Sequence, residues 1–125
     1  MKQKRSVSGL GETEMEIMNH LWDLGSGTVA DVHSRINGYR KVAYTTIMTV
    51  LKKLADKNML RIEKEGLTYR YFPVRSEAEV KGELADSFVS SVFQNSPVQL
   101  VQNLVKKEKL TESEIEEIKK LIENL

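Results

Sequence analysis

The chain has 125 residues, 40% of them hydrophobic and 30% charged, and its net charge is +1. This length is enough for one domain, or for a small domain with an appendage. The lack of cysteine excludes disulfides, thiolate metal sites and cysteine nucleophiles, and His20 and His33 have no spacing typical of metal ligands. No segment is apolar enough to cross a membrane, so the sequence predicts a soluble, cytoplasmic protein. We also expect no metal and no cofactor.

Three helices are predicted in the first half of the chain. Residues 12–24 carry the wide apolar stripe of a helix that faces a core, and Gly25 supplies its end. Thr28 and Asp31 form a capping-box pattern at the start of a short second helix. A third helical pattern runs over residues 43–57. Its apolar row predicts burial of Ile47, Val50, Leu51 and Leu54.

The pattern then changes to that of β-strands. Residues 60–63 alternate between apolar and charged side chains, and residues 68–72 are rich in β-forming types. Glu65 and Gly66 supply a turn between the two segments, and Pro73 closes the second one. Together these features predict a single β-hairpin.

Three more helices are predicted after the hairpin. An apolar residue recurs at helical spacing over residues 77–93, and Pro97 suits the first position of a short helix over residues 98–107. Thr111 and Glu114 form a capping box at the start of the last helix.

Three helices followed by a hairpin is the order of a winged helix-turn-helix, whose third helix enters the major groove of DNA. The predicted fold class is therefore mainly α with a small β-hairpin. Residues 1–75 form a winged-helix DNA-binding domain, and residues 76–125 form a helical dimerisation domain. The first has 13 basic and 8 acidic residues, a net charge of +5, and the second has 6 and 10, a net charge of −4. This asymmetry indicates that the first domain meets a polyanion.

The outward face of the third helix carries the chemistry that suits DNA. Hydroxyl groups reach phosphates or base edges, and lysines neutralise phosphate charge. With one arginine of the hairpin, the candidate DNA-binding residues are Tyr44, Thr45, Thr46, Thr49, Lys52, Lys53 and Arg70. The alternative is that Lys52, Lys53 and Lys57 form an ordinary solvated helix face.

Other polar residues have two interpretations each. Arg70, with Arg61 and Lys64, places the hairpin tip on DNA or only protects a strand edge. The basic start of the chain enters a minor groove or belongs to a frayed terminus. Its residues are Lys2, Lys4 and Arg5. For His20 and His33 we expect structural or solvated roles.

The second domain predicts self-association. One narrow apolar row and two short helices make no large core, so a second copy is expected to cover what one chain leaves exposed. The candidate dimerisation residues are Val80, Leu84, Phe88, Leu100, Leu104, Ile118 and Leu121. The alternative is a monomeric helical cap packed on its own winged domain.

Several segments resemble the penicillinase-repressor family, which includes the methicillin-resistance and copper-operon repressors. The segments are Leu10 to Trp22, the helix Ala43-Tyr-Thr-Thr-Ile-Met-Thr-Val-Leu-Lys-Lys-Leu54, the hairpin end Tyr69-Arg-Tyr-Phe-Pro73 and residues 100–118. The resemblance implies a homodimeric repressor on a dyad-symmetric operator in double-stranded DNA. It also places Met48 at a position that is usually basic in relatives.

The same resemblance bears on how repression ends. Copper-responsive members resemble one another in a C-terminal Cys-x-Cys arrangement, and this chain has no cysteine. Antibiotic-responsive members are cut at an Asn-aromatic bond, and the matching bond here is Asn103-Leu104, with a membrane-anchored sensor protease as the implied partner. The alternative is that Asn103 is a polar helix residue and Leu104 a dimer contact.

The sequence also bears on two other classes of function. A winged-helix protein-interaction module without a DNA role has the same fold, and salt-dependent DNA binding distinguishes it from a repressor. An enzyme is not predicted, because the sequence offers no set of nucleophile, base and orienting group.

Overall fold

The computed structural model describes residues 9–125, so Lys2, Lys4 and Arg5 lie outside the described residues. Six helices and three strands follow one another in the described part. In chain order they are α1 (Glu12–Leu24), β1 (Gly27–Thr28), α2 (Val29–Asn37), α3 (Tyr44–Asp56), β2 (Leu60–Glu65), β3 (Thr68–Pro73), α4 (Glu77–Val92), α5 (Pro97–Lys106) and α6 (Glu112–Glu123). The chain divides into two compact units, Met1–Leu84 and Ala85–Leu125.

The predicted helix ends of the first unit are confirmed. α1 ends at Gly25, which has a φ of 88° and donates its N–H to the carbonyl of Leu21 at 2.7 Å. Thr28 Oγ1 accepts the Asp31 N–H at 3.1 Å, and Asp31 Oδ2 accepts the Thr28 N–H at 3.0 Å. This capping box fixes the start of α2 one residue after a short strand.

The predicted hairpin is present and has a third strand beside it. The sheet order is β1-β3-β2, with all neighbours antiparallel. Because Glu65 pairs with Thr68, the turn is two residues long, and Gly66 takes a φ of 62° there. β1 was not predicted from the sequence, because a strand of two residues carries no periodic pattern.

The core of the first unit is formed by its helices and its hairpin together. α3 contributes a fully buried row, Ile47, Leu51 and Leu54, while Val50 is only partly buried. α1, α2 and the hairpin supply the other side of this core. Together with Met59, which precedes β2, their buried apolar residues are Ile17, Met18, Leu21, Val29, Val32, Ile36, Leu60 and Tyr71.

The first turns of α4 also belong to this core. Val80 is completely buried and Leu84 packs against the same cluster. Trp22 Nε1 donates to the Arg75 carbonyl at 3.0 Å, and Arg75 forms an ion pair with Glu83. The expectation that Val80 lies on a dimer surface is therefore corrected, because its own unit already covers it.

The second unit has a different character. None of residues 85–125 is buried, although this segment forms α5, α6 and the end of α4. The caps that open its helices are well made: Ser96 Oγ accepts the Gln99 N–H at 3.1 Å, and Thr111 and Glu114 form the predicted capping box. Within residues 9–125, no helix has the length and apolarity needed to cross a membrane.

A polar network connects α1 with the end of α2. Arg35 Nε donates to His20 Nδ1 at 3.0 Å, so His20 Nε2 carries the proton and donates to Tyr39 Oη at 2.9 Å. Tyr39 in turn donates to Glu16, which also accepts from Arg40 Nη2 at 2.6 Å. His20 thus acts as a neutral link between two helices.

Burial, with the nearby Arg35 charge, lowers the pKa of His20 from its usual value. The unfolded chain therefore binds this proton at a higher pH than the folded one does. The resulting stability is complete above the ordinary histidine pKa of about 6.5 and is lost as the pH falls towards the folded value.

We expect the free energy of unfolding to decrease between pH 7 and pH 5, and His20→Gln to remove part of this dependence. Urea unfolding at several pH values measures it. Ser34→Ala, at an exposed position of α2, provides a matched control that should keep the wild-type slope. An unchanged slope in His20→Gln would show that the network contributes nothing to the pH response.

Candidate nucleic-acid interface

α3 has two faces of opposite character. The row Ile47, Leu51 and Leu54 is fully buried, which fixes the rotation of the helix about its axis. The opposite side is open to solvent. All six residues of α3 that the sequence analysis assigned to DNA are exposed, namely Tyr44, Thr45, Thr46, Thr49, Lys52 and Lys53. The structure therefore brings this part of the predicted site together on one helix.

The lysines of α3 and its end have different environments. Lys52 and Lys53 form no ion pair with any residue in 9–125, so their charges face solvent. Lys57 is turned towards α1, where its Nζ contacts Glu14 Oε1 at 2.9 Å. Of these three lysines, Lys52 and Lys53 are thus available to a polyanion, whereas Lys57 has a structural role.

Glu14 explains why Lys57 is held in place. Burial opposes ionisation of its carboxyl group, but the Gly11 N–H and Lys57 outweigh that effect and lower the pKa of Glu14. Glu14 Oε1 accepts the Gly11 N–H at 2.8 Å as well as the Lys57 ammonium. This pair attaches the end of α3 to the start of α1.

The start of α3 is held by contacts from α2 and has no side-chain cap. His33 Nε2 donates to the Val42 carbonyl at 2.8 Å, and its ring contacts the Tyr44 ring edge-on at 5.5 Å between centroids. The N-cap residue Ala43 provides no side-chain hydrogen bond to the first turn. The N–H groups of the first turn add positive potential at the end of α3 that carries Tyr44 and Thr45.

The hairpin lies beside the start of α3. Burial, together with neighbouring Tyr69 and Tyr44, raises the pKa of Tyr71. Tyr69 and Tyr44 are themselves about half exposed, at 49% and 46%. Tyr44 of α3 and Tyr69 of β3 thus each add exposed aromatic surface to their element.

The arginines of the hairpin are occupied by acidic partners. Arg70 Nε lies 3.0 Å from Glu65 Oε2, and its Nη1 lies 3.8 Å from Asp31 Oδ2 at the start of α2. Arg61 pairs with Glu63 and lies over the ring of Phe72, 4.3 Å from its centroid. In the described part of the chain, each of these two predicted wing contacts is thus engaged within the protein.

Lys64 is the remaining basic residue of the hairpin. It is exposed, pairs across the strands with Tyr69 and forms no ion pair within residues 9–125. Glu65 lies five residues from Arg70 in the same hairpin, but the contact with Asp31 could not be predicted from local sequence, because Asp31 lies in α2. A DNA contact through Arg70 stays a prediction that requires release of Glu65.

Three helices, a two-stranded wing and a short strand that joins the wing to α2 define the winged helix-turn-helix class of proteins. A sequence profile of the penicillinase-repressor family matches residues 10–124. The chain belongs to that family, as its resemblance indicated.

Two relatives show how the similarity is distributed. The chain is 37% identical to the transcriptional regulator BlaI of Mycobacterium tuberculosis over 87 residues, which are 68% of this chain and 63% of that protein. The match thus spans less than two thirds of the mycobacterial relative. The methicillin resistance regulatory protein MecI of Mammaliicoccus sciuri is 26% identical over 113 residues, 90% of this chain and 92% of that protein.

A solved structure is also similar. It is the monomeric form of BlaI from Bacillus licheniformis in complex with the blaP half-operator, with a TM-score of 0.50 and 26% identity. The match covers 63% of this chain and 93% of that one.

Proposed function

We propose that this protein is a cytoplasmic transcriptional repressor that binds double-stranded operator DNA as a homodimer through the outer face of α3. The observation that carries the proposal is the exposed hydroxyl and lysine face of α3, fixed from behind by a fully buried row. A family member, BlaI, has been solved in complex with an operator half-site, which supports the same role here.

The size and chemistry of α3 suit the major groove. A helix of 13 residues is about 20 Å long, and the major groove is about 12 Å wide, so the exposed face reaches several base pairs. Lys52 neutralises phosphate charge, while the short hydroxyl side chains Thr45 and Thr49 reach base edges or phosphates. Lys64 and Tyr69 of the wing contact the neighbouring backbone.

Substitutions on α3 are expected to have two distinct effects. Lys52→Ala should weaken binding to every DNA sequence and reduce the slope of log affinity against log salt by about one unit, because one phosphate contact is lost. Thr45→Ala and Thr49→Ala should instead change base preference. Binding titrations at several salt concentrations, with specific and random duplexes, measure both effects.

Lys120→Ala is a matched control, since Lys120 is exposed on α6 and has no ion pair among the described residues. It should leave both affinity and salt slope unchanged. If the wild-type protein shows no salt-dependent affinity for any duplex, the alternative of a protein-interaction module replaces the repressor.

The exposed apolar surface of the second unit supports the proposed homodimer. Of the expected contacts, Phe88 and Leu121 are exposed, and Leu100, Leu104 and Ile118 are half-buried within one chain. An open apolar groove of about 460 Å³ lies between α5 and α6. Its apolar lining is Pro97, Val98, Val101, Val105 and Ile122, and the sequence analysis had selected none of these residues.

A chain with this surface gains stability by covering it with a second copy. The dimer also places two α3 helices on one DNA molecule, so that binding of the first raises the effective concentration of the second. A dyad-symmetric operator matches the symmetry of such a dimer.

Val105→Asp should convert the dimer into monomers. Val105 is 52% exposed in one chain, so the change leaves the fold of a single chain intact and places an unpaired charge only in the dimer interface. We expect the dimer dissociation constant to rise by about a hundredfold, for a cost of roughly 3 kcal/mol. Sedimentation of both proteins at micromolar concentration measures the change.

Gln99→Asp, at an exposed polar position of the same helix, is the control and should remain dimeric. A wild-type chain that sediments as a monomer, yet still protects both halves of a dyad operator, would show that the interface lies elsewhere.

We propose in addition that proteolysis between Asn103 and Leu104, by a membrane-anchored sensor protease, relieves repression. Asn103 is exposed and Leu104 is half-buried, and the bond lies in the last turn of α5. Asn103 still accepts the Lys107 N–H at 3.1 Å, so this turn must open before a protease can bind it. Cleavage would separate α6 from the rest of the groove and weaken the dimer.

Cells exposed to a β-lactam should then contain two fragments, one ending at Asn103 and one beginning at Leu104. Mass spectrometry of the protein, recovered from induced and uninduced cells, identifies them. If target genes are switched on while the chain stays intact, the cleavage route is wrong.

A further inference from the structure

Met48 is an apolar residue on the exposed side of α3 that we assign to DNA. Its side chain is 42% exposed, between Tyr44 and Lys52, which lie one turn before and one turn after it. Met15, Met18 and Met59 are buried or half-buried in the first unit. Of the methionines within residues 9–125, only Met48 is thus turned away from the core.

The position of Met48 is fixed by its neighbours in the core. Ile47 precedes it and Leu51 follows one turn later, and both are completely buried. Rotation of α3 to bury Met48 would expose this row to solvent and remove its side chains from the core. Met48 therefore remains on the surface whether or not DNA is bound.

The chemistry of Met48 restricts what it can contact in a major groove. Its thioether is at best a weak acceptor, and its flexible, polarisable chain fits irregular apolar surfaces. A polar base edge beside Met48 would give up its hydrogen bond with water and would gain no hydrogen bond of similar strength from Met48. The major groove offers one apolar group, the C5-methyl group of thymine.

We propose that Met48 is a specificity-determining residue that contacts the methyl group of a thymine in each operator half-site. This inference rests on the proposed function, since it requires α3 to lie in the major groove. It explains how a side chain that is at best a weak hydrogen-bond acceptor contributes on an otherwise polar face. It also predicts an A·T pair, with the thymine facing Met48, at one defined step of each half-site.

The experiment begins with a duplex selected from random DNA by the wild-type protein. Each thymine is then replaced in turn, in both half-sites, by deoxyuridine, which removes the methyl group and keeps the hydrogen-bonding edge. At one position we expect affinity to fall about fourfold per half-site, as for the loss of one buried methyl group. Met48→Ala should bind the duplexes with and without this methyl group equally well.

Lys52→Ala is the matched control, because it should weaken binding to both duplexes and keep the fourfold ratio. A second variant, Met48→Arg, should select guanine at the same step when selection from random DNA is repeated, because arginine bonds to the guanine edge. Circular dichroism checks that both Met48 variants are folded.

The outcomes separate this inference from the function on which it rests. If Met48→Ala is as sensitive as the wild type to loss of every thymine methyl group, Met48 does not contact one and the inference is wrong. The same holds if Met48→Arg selects the wild-type operator unchanged. If no duplex is enriched by the wild-type protein in a salt-dependent way, the DNA-binding role itself is wrong, and this inference with it.

Discussion

Burial of one apolar row of α3 is the interaction on which the rest of the candidate interface depends. Ile47, Leu51 and Leu54 are inaccessible to solvent, and each contributes roughly 1.5 to 3 kcal/mol through its burial. Because the residues of a helix have fixed angles relative to one another, burial of the inner row also fixes the direction in which every outer residue faces. The exposed threonines and lysines thus occupy defined positions without needing partners of their own.

Contacts around α3 reinforce this arrangement from both ends. At its start, His33 bonds to the Val42 carbonyl and contacts the ring of Tyr44. At its end, Lys57 is paired with Glu14 of α1. The polar groups of the first unit are therefore divided between those that hold the helix and those that are left for a partner. Charge alone does not show this division, since Lys53 and Lys57 are the same residue type on one helix end.

Local patterns in the sequence were sufficient for the helices and the hairpin, but not for β1 or for the contacts between elements. Capping residues such as Thr28 and Thr111 act within four residues of themselves, so their helix starts were predictable. The partners of His20, and Asp31 beside Arg70, lie far away in the chain, and no periodic signal connects them. The same limit explains why Val80 was expected on a surface: its apolar spacing identifies a buried side of α4 without identifying what buries it.

The place of α4 in the structure has a consequence for exchanging modules between members of this family. Its first turns, with Val80 and Leu84, complete the core of the first unit, and its later residues belong to the second. A chimaera joined at the end of the hairpin would place a residue from another family member at position 80 of this core. Because the interior is close-packed, a difference of even one methylene group there lowers stability. The best position for joining two family members is therefore after Leu84, inside α4, and the two sequences would be joined within a helix rather than in a loop.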